Sequence, residues 1–573
     1  MASEAEKIYG APGTGKTTEA ERRFAEAVKS GIPPHEILYS TYRKEAVASE
    51  KLKLSQLIGI NVQDLKNVKT THGMCLSLLL RNGNIDWRKD ENSIIKNSDY
   101  YQFNRDCGYN VNPLKQISED FFSSRNDPYL AFYSCLKSTR TPLREAYSLP
   151  CDFKKVLLYD LVEFAKDFDK WKAANNKIGF DDMVDMVLKE KLCPDCPVQI
   201  YDEAQDMTTQ LYNVSKMWAN EADLVILAGD PLQTLYPYQG ANPGYFIDWH
   251  GETDVLPESR RLTSAVWSIA SEIIELRTPY RAPDIRTKSN EGSIREIYHQ
   301  NLQDWLSRNP KNPSSTVFHL VRTNYQGYEV AKTLAGCGIP FSGIAEYSWN
   351  SAEANLYNAI KKIQANEVSV TSERPQKKIQ TQSRVQVRAK KVLHTQDKVR
   401  AIPSPDIKGP IKPSLTLSEF CAIIDAYAEK FLIGSYDRQE LKEKAAKKDF
   451  KPDLKYFRPS LTGMISTNPI GASNLKGLPA LKIEGALKKH LPEITPELIN
   501  KVKILTIHGS KGMEADTVFL HTAISPTIAR SLSEERGIEN EAYVWYVGIT
   551  RTRKNLFFVT YPGKNYPIPG VCA

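Results

Sequence analysis

The sequence predicts an α/β protein built on parallel sheet with flanking helices, and three stretches carry that reading. The first is Gly10-Ala11-Pro12-Gly13-Thr14-Gly15-Lys16-Thr17, which fits the phosphate-cradling pattern G-x-x-x-x-G-K-[ST]. It lies between a short strand at Lys7-Ile8-Tyr9 and a helical segment from Thr18 to Lys29, with Phe24, Ala25 and Val28 on one face. The second is the apolar run Val198-Gln199-Ile200-Tyr201, which ends in Asp202-Glu203. The third is Asp223 to Gln233, a buried strand that enters the polar loop Gly229-Asp230-Pro231-Leu232-Gln233. Strands with polar ends suit the carboxyl edge of a parallel sheet, where α/β proteins bind ligands.

Each stretch brings its own chemistry. Glycine lets the backbone curl so that successive N–H groups face phosphate oxygens, and the following helix adds its positive end. Lys16 would reach the β- and γ-phosphates, and the Thr17 hydroxyl would hold Mg²⁺. Asp202 would hold the same ion while Glu203 polarises the attacking water. Gln233 stands where a γ-phosphate sensor or water-placing group belongs. The chain is expected to bind a nucleoside triphosphate.

Between these stretches the pattern changes. Glu36 to Tyr42 follows Pro33-Pro34 as a buried strand, and Val68 to His72 is a further strand with a polar end. From Leu76 to Gly179 the sequence is polar, aromatic-rich and helical, as at Val156 to Phe164. About 185 residues separate Lys16 from Asp202, more than a compact core needs, so 76–179 is read as an inserted subdomain. After Gln233 come Tyr236, Tyr238, Tyr245, Phe246 and Trp249. Residue type leaves open whether they stack on bases or pack against a neighbouring domain.

Composition sets outer bounds. The 573 residues suggest several domains, and the 41% apolar and 25% charged content is that of an ordinary globular protein. A net charge of +8 permits a polyanionic partner without requiring one. Nine scattered cysteines do not form a disulfide framework, and Cys193-Pro194-Asp195-Cys196 reads as a tight turn rather than half a zinc site. There is no apolar signal core at the start and no run of about 18 apolar residues. A reduced, cytoplasmic setting is expected, with no membrane partner. It would be nucleoid-associated in a bacterium, or in the host cell for a virus.

The motif set as a whole resembles the UvrD/Rep/PcrA-type superfamily I DNA helicases. Ile37 to Val47 resembles motif Ia, Thr71-His72-Gly73-Met74-Cys75 motif Ib, and Gly179-Phe180-Asp181-Asp182-Met183 the F-D-D element. Tyr201 to Asp206 resembles motif II, Gly229 to Tyr236 motif III, and Leu256 to Thr263 motif IV. In the second half, Val321-Arg322-Thr323-Asn324 and Gly338-Ile339-Pro340-Phe341 resemble the opening of a second core. Ile504 to Glu514 resembles motif V and Tyr546 to Arg553 motif VI.

The resemblance implies two RecA-like P-loop cores, each interrupted by an inserted, largely helical subdomain, with ATP between them. The first core would comprise 1–75 and 180–278, interrupted by 76–179. The second would comprise 279–345 and 495–573, interrupted by 346–494. Gly10 to Thr18, Arg260 and Glu514 would bind the nucleotide, and Arg261 and Arg551 would act as arginine fingers beside Lys16, Glu203 and Gln233. Tyr42, His72, Tyr238, Arg322, Asn324 and His508 would touch single-stranded DNA. The implied activity is ATP-dependent unwinding of duplex DNA by 3′→5′ travel along one strand. The molecule would act as a monomer, recruited by a replication or repair protein. The alternative is a nucleotide-gated module that grips DNA or clears proteins from it with little unwinding.

Some features depart from that pattern. None of the nine residues before Gly10 is the glutamine that reads adenine in the family, and Ser259-Arg260-Arg261 replaces Asn-Tyr-Arg. Arg260 could stack on a base through its guanidinium plane. Tyr238-Gln239 replaces Trp or Phe followed by Arg. Residues 374–413 hold eleven Lys/Arg against two Asp/Glu, which suits either a phosphate-binding arm or a solvated linker. An amphipathic helix is expected from Leu415 to Leu432, capped by Ser414 or Thr416, and a basic helical run from Lys442 to Lys455. The chain stops soon after Arg553, so no appended nuclease domain is expected.

Overall fold

The computed structural model describes residues 4–41, 44–85, 93–112, 127–142, 156–235, 237, 240–289, 292–308, 315–372, 415–427, 431–433, 437–447 and 450–571. The chain forms two compact units. One comprises Met1–Val330, Gly343–Glu346 and Lys501–Ala573; the other comprises Ala331–Ser342 and Tyr347–Asn500.

Two six-stranded sheets build the first unit. The first sheet contains β1 (Glu4–Tyr9), β2 (Ile37–Thr41), β3 (Val68–Thr70), β4 (Val198–Asp202), β5 (Leu224–Gly229) and β6 (Glu252–Val255), in the order β3-β2-β4-β5-β1-β6. All five pairings are parallel. Every residue of β2 and β4 is buried, as in a sheet covered on both faces. A two-stranded ribbon follows, of β7 (Glu258–Thr263) and β8 (Arg286–Ser289). The second sheet holds β9 (Ser293–Tyr298), β10 (Val317–Val321), β11 (Ser342–Gly343), β12 (Val502–Thr506), β13 (Ala515–His521) and β14 (Thr552–Thr560). Its order is β11-β12-β10-β13-β14-β9.

Local signals set the element ends. Gly15 adopts φ 91°, a left-handed conformation that glycine takes without strain, and the helix Lys16–Lys29 begins there. The strand expected through His72 stops at Thr70. The Thr70 side chain accepts a hydrogen bond from the Gly73 N–H (3.1 Å), which starts the helix Thr71–Arg81. The Cys193–Cys196 segment is a turn closed by the Cys196 N–H on Pro194 O (2.9 Å), with the Cys196 Sγ accepting from Asn67 (3.3 Å).

The aromatic-rich segment builds a core of its own. Helices Asn97–Cys107, Pro128–Thr139 and Leu158–Ala174 enclose Tyr100, Phe103, Tyr133, Phe164, Phe168 and Trp171. Phe103 packs edge-on against Phe164, Phe168 and Trp171. A second core runs between the two sheets. The helix Glu535–Ile549 is buried from Glu541 to Ile549 and packs on the helix Ser264–Arg277. Its Trp545 shares one apolar cluster with Ala11, Leu232, Leu262 and Phe558.

A buried chain of rings crosses the second sheet. His319 Nδ1 lies 3.2 Å from His521 Nε2, and His521 Nδ1 lies 2.6 Å from the Tyr561 hydroxyl. Burial lowers the His521 pKa to about 3. The unfolded chain therefore takes up a proton near pH 6.5 that the folded chain refuses, so stability is complete above 6.5 and falls as the pH drops. Between pH 7 and 5 the loss from this group should be roughly 2 kcal/mol. Thermal melts at both pH values should show a smaller acid shift in His521→Gln; an unchanged shift would assign the acid sensitivity elsewhere.

The second unit is helical, with Ser351–Ser372, Leu417–Ala426, Arg438–Ala445, Pro459–Thr467 and Gly477–Lys488 as its longer elements. Thr416 and Glu419 form a capping box at the start of Leu417–Ala426. The helix expected to reach Leu432 ends at Ala426, because Tyr427 turns extended and bridges Ser473. The expected run from Lys442 to Lys455 is helical only to Ala445, with a short 3₁₀ turn at Leu454–Tyr456. Buried Lys482 is compensated by Glu353 Oε2 (2.7 Å) and the Ser348 carbonyl (2.9 Å). The basic segment 374–413 lies outside the described residues. Among the described residues no helix is long and apolar enough to cross a membrane.

Candidate active site

The carboxyl ends of β1, β4 and β5 lie side by side and point three loops at one cleft of about 680 Å³. Gly10 to Thr17 follows β1, Asp202-Glu203 closes β4, and Asp230 to Gln233 follows β5. The opposite wall comes from the second sheet, with Gly512 and Glu514 before β13 and Arg551 and Arg553 around the start of β14. The Ala515 N–H on Arg551 O (3.0 Å) fixes those two strand starts to each other.

β7 clamps the phosphate loop. The Ser259 hydroxyl donates to Pro12 O (2.7 Å), and the Arg260 N–H donates to Gly13 O (3.0 Å). Gly13 has φ 80°, and a Cβ there would come within 2.4 Å of the Arg261 Cβ. Only glycine allows the loop and β7 to approach so closely.

The ionisable groups form a connected set. The Lys16 ammonium is buried and donates to Gly10 O (2.8 Å) and Ala11 O (3.3 Å), and burial lowers its pKa. Thr17 Oγ1 donates to Asp202 Oδ2 (3.0 Å). Burial, with Glu203 alongside, raises the Asp202 pKa to about 7. The Thr17 hydroxyl and the Asp202 carboxylate oxygens together form an all-oxygen donor pair of the kind a hard divalent cation takes. Glu203 sits in the left-handed region at φ 56°, a strained conformation for a side chain of its kind. Burial alone would raise its pKa, but Lys511 and Lys16 together hold it below the usual carboxylate range.

Gln233 is held at both ends. Its Nε2 donates to Asp230 Oδ2 (2.8 Å), and its Oε1 accepts from Arg551 Nη2 (2.9 Å). Arg551 is buried, its Nε donating to Val547 O (3.0 Å), and burial next to Arg261 lowers its pKa. Arg261 donates through Nε to Glu514, which also accepts from Arg553 Nε (2.7 Å). Arg260 and Thr18 line the same cleft. Of the residues expected at the nucleotide, Pro12, Gly13, Gly15 to Thr18, Glu203, Gln233, Arg260, Arg261, Glu514 and Arg551 line this cleft, while Gly10, Ala11, Thr14 and Asp202 lie outside its lining.

Three residues were not singled out from the sequence, although each lies inside a quoted motif. Lys511 donates to Gln233 O (3.0 Å) and to Asp206, and stands 3.8 Å from Glu203. Gln205 bridges Glu203 and the Asp230 N–H (3.1 Å). Tyr546 donates to Asp230 Oδ2 (3.3 Å). Their types predict no role; only their neighbours do.

Comparison with known proteins decides the family. Residues 3–253 match the UvrD/REP helicase N-terminal domain, and residues 415–562 match the UvrD-like helicase C-terminal domain. The chain belongs to the UvrD/Rep helicase family. It is 22% identical to the ATP-dependent DNA helicase PcrA of Bacillus subtilis over 611 residues, covering 96% of this chain and 80% of that protein. It is also 22% identical to the ATP-dependent DNA helicase Rep of Buchnera aphidicola, covering 98% and 93%. The two sheets are the two RecA-like cores of this family.

For a UvrD/Rep-type chain the residues expected at DNA divide into three groups. Tyr42 and Tyr238 lie outside the described residues. His72 and Asn324 are half-buried. His72 meets the exposed Phe180 ring edge-on (6.2 Å between centroids), and the pair borders a pocket of about 650 Å³. Burial lowers the His72 pKa to about 4, so a contact there is neutral at physiological pH. Arg322 and His508, expected at the DNA strand by motif position, are buried. Arg322 Nε and Nη2 donate to Glu541 (3.1 and 2.7 Å), so this guanidinium is committed to an internal carboxylate.

Proposed function

We propose that this chain is an ATP-dependent DNA helicase that hydrolyses ATP between its two RecA-like cores and moves 3′→5′ along single-stranded DNA. The observation that carries the reading is the Gln233–Arg551 contact across the cleft, with Lys16, Glu203 and Arg261 around it. A group that senses the γ-phosphate on one core is there bonded to a cation from the other. Hydrolysis is thereby coupled to the spacing of the cores. Relatives named ATP-dependent DNA helicases over nearly the whole chain support the same reading.

Water, its proton passing to Glu203, forms a bond to the γ-phosphorus as the bond to the β–γ bridging oxygen breaks. ADP leaves with the bonding pair, and phosphate is the second product. Lys16, Arg261 and Arg551 neutralise charge that builds on the transferring group. Lys511 and Gln205 orient Glu203. Thr17 and Asp202 would hold Mg²⁺, which when bound neutralises charge on the β- and γ-phosphates. His72, Asn324 and exposed Phe180 are proposed contacts of the strand, through stacking and polar bonds that tolerate any sequence.

The test is phosphate release with and without single-stranded DNA, followed by displacement of a strand from duplexes carrying a 3′ or a 5′ tail. DNA stimulation with displacement from the 3′-tailed substrate is expected. Turnover indifferent to DNA would overturn the motor reading. Arg551→Ala should lower DNA-stimulated turnover about 10²-fold while nucleotide binding persists, since it removes one fixed charge from the transition state.

A further inference from the structure

The nucleotide cleft carries an unusual set of groups outside its catalytic centre. Its described lining includes no aromatic ring, and its one carboxamide is Gln233. Both ends of that amide are already engaged, by Asp230 and Arg551. What the cleft offers instead is charge: Arg260, Lys288 and Lys554 line it in addition to Lys16, Arg261, Arg551 and Arg553.

Arg260 is placed by its strand. Ser259 points inward and is fully buried, bonded to Pro12, whereas Arg260 next to it is exposed at the cleft. Alternation along β7 makes the two side chains face opposite ways. The Arg260 backbone is meanwhile tied to Gly13 of the phosphate loop (3.0 Å). The guanidinium is thus carried by a residue whose own backbone grips the loop, and it lines the cleft beside Gly13 and Lys16. Lys288 comes from β8, the partner strand of the ribbon.

Base selectivity requires a polar edge that is left unpaired by the wrong base, and discrimination then reaches about 10⁴-fold or more. Without such an edge, discrimination falls to what stacking provides. A guanidinium plane stacks on any heterocycle, and cations bind any triphosphate. We infer that the cleft selects the triphosphate and not the base, so that purine and pyrimidine nucleoside triphosphates all serve as fuel, with Arg260 as the base-facing residue. The inference rests on the reading of this cleft as the nucleotide site of the motor.

The test uses the full chain with saturating single-stranded DNA and Mg²⁺. Initial rates of phosphate release from ATP, GTP, CTP and UTP are measured, together with displacement of a fluorescent methylanthraniloyl nucleotide by each of the four. Values of kcat/KM and displacement constants within about tenfold of one another are expected. Arg260→Ala should weaken all four to a similar degree, about three- to tenfold, and Arg260→Tyr should open a gap in favour of the larger purine rings. A preference for ATP above about 100-fold in the wild type, or unchanged constants in Arg260→Ala, would overturn the inference. Base-indifferent displacement without hydrolysis of any of the four would sink the motor reading and leave base tolerance standing.

Discussion

Lys16→Ala is expected to lower DNA-stimulated ATP hydrolysis by about 10³-fold or more, with the fold intact. The Lys16 ammonium is buried against the carbonyls of Gly10 and Ala11, and burial disfavours its charge. Removing it takes a costly buried cation out of the folded state, so melting should change little. Its loss from the transition state has no such compensation, because no other cation springs from the phosphate loop itself. Glu203→Gln is the companion variant. It keeps the shape and the contact with Gln205 but removes the proton acceptor, so turnover should fall while nucleotide binding persists. Hydrolysis rates beside nucleotide affinity for both variants check this. More than a tenth of wild-type turnover in either would move the chemistry to other residues.

Arg322→Ala is expected to destabilise the protein by about 3–5 kcal/mol, the usual effect of removing one partner from a buried ion pair. Arg322 and Glu541 are 1% and 4% exposed at the side chain. Glu541 Oε2 also accepts from Trp545 Nε1 (3.2 Å) within the helix whose buried face joins the two cores. Losing the guanidinium leaves a buried carboxylate charged and short of donors. A double variant, Arg322→Met with Glu541→Leu, removes both charges and should recover most of the stability. Denaturant unfolding of the three proteins measures this directly. If Arg322→Ala kept wild-type stability and lost only DNA affinity, the side chain would belong to the DNA track after all.

Much of this molecule is legible one residue at a time. Gly13 and Gly15 of the phosphate loop sit where a positive φ favours glycine, and the Asp-Glu after β4 and the polar loop after β5 sit at the ends of apolar runs. Patterns of that sort are local, so strand, loop and helix could be placed without tertiary contacts. Within the aromatic-rich stretch between Leu76 and Gly179, Tyr100, Phe103, Phe164, Phe168 and Trp171 form a ring cluster, while Phe132, Cys135 and Leu161 join the core between the sheets. Local signals also set where reading failed. The strand at Val68 stops at Thr70 because a threonine hydroxyl captures the Gly73 amide, a competition between cap and strand that apolar patterning does not reveal.

Which side chains meet was decided only by the tertiary structure. Gln233 and Arg551 are separated by more than half of the sequence, and Lys511 reaches Asp206 and Gln233 from the other core. Arginine in a helicase motif reads as a DNA contact at Arg322 and as a catalytic finger at Arg551, yet both are buried and neither fate follows from residue type. The reason is physical. A motif fixes backbone conformation through nearby atoms, whereas the partner of a charge depends on which distant carboxylate shares its low-dielectric surroundings. The sequence by itself therefore determined the phosphate loop, the acidic end of β4 and the two-core plan. Only packing of the second sheet against the first decided which cations face the cleft and which are spent inside the protein.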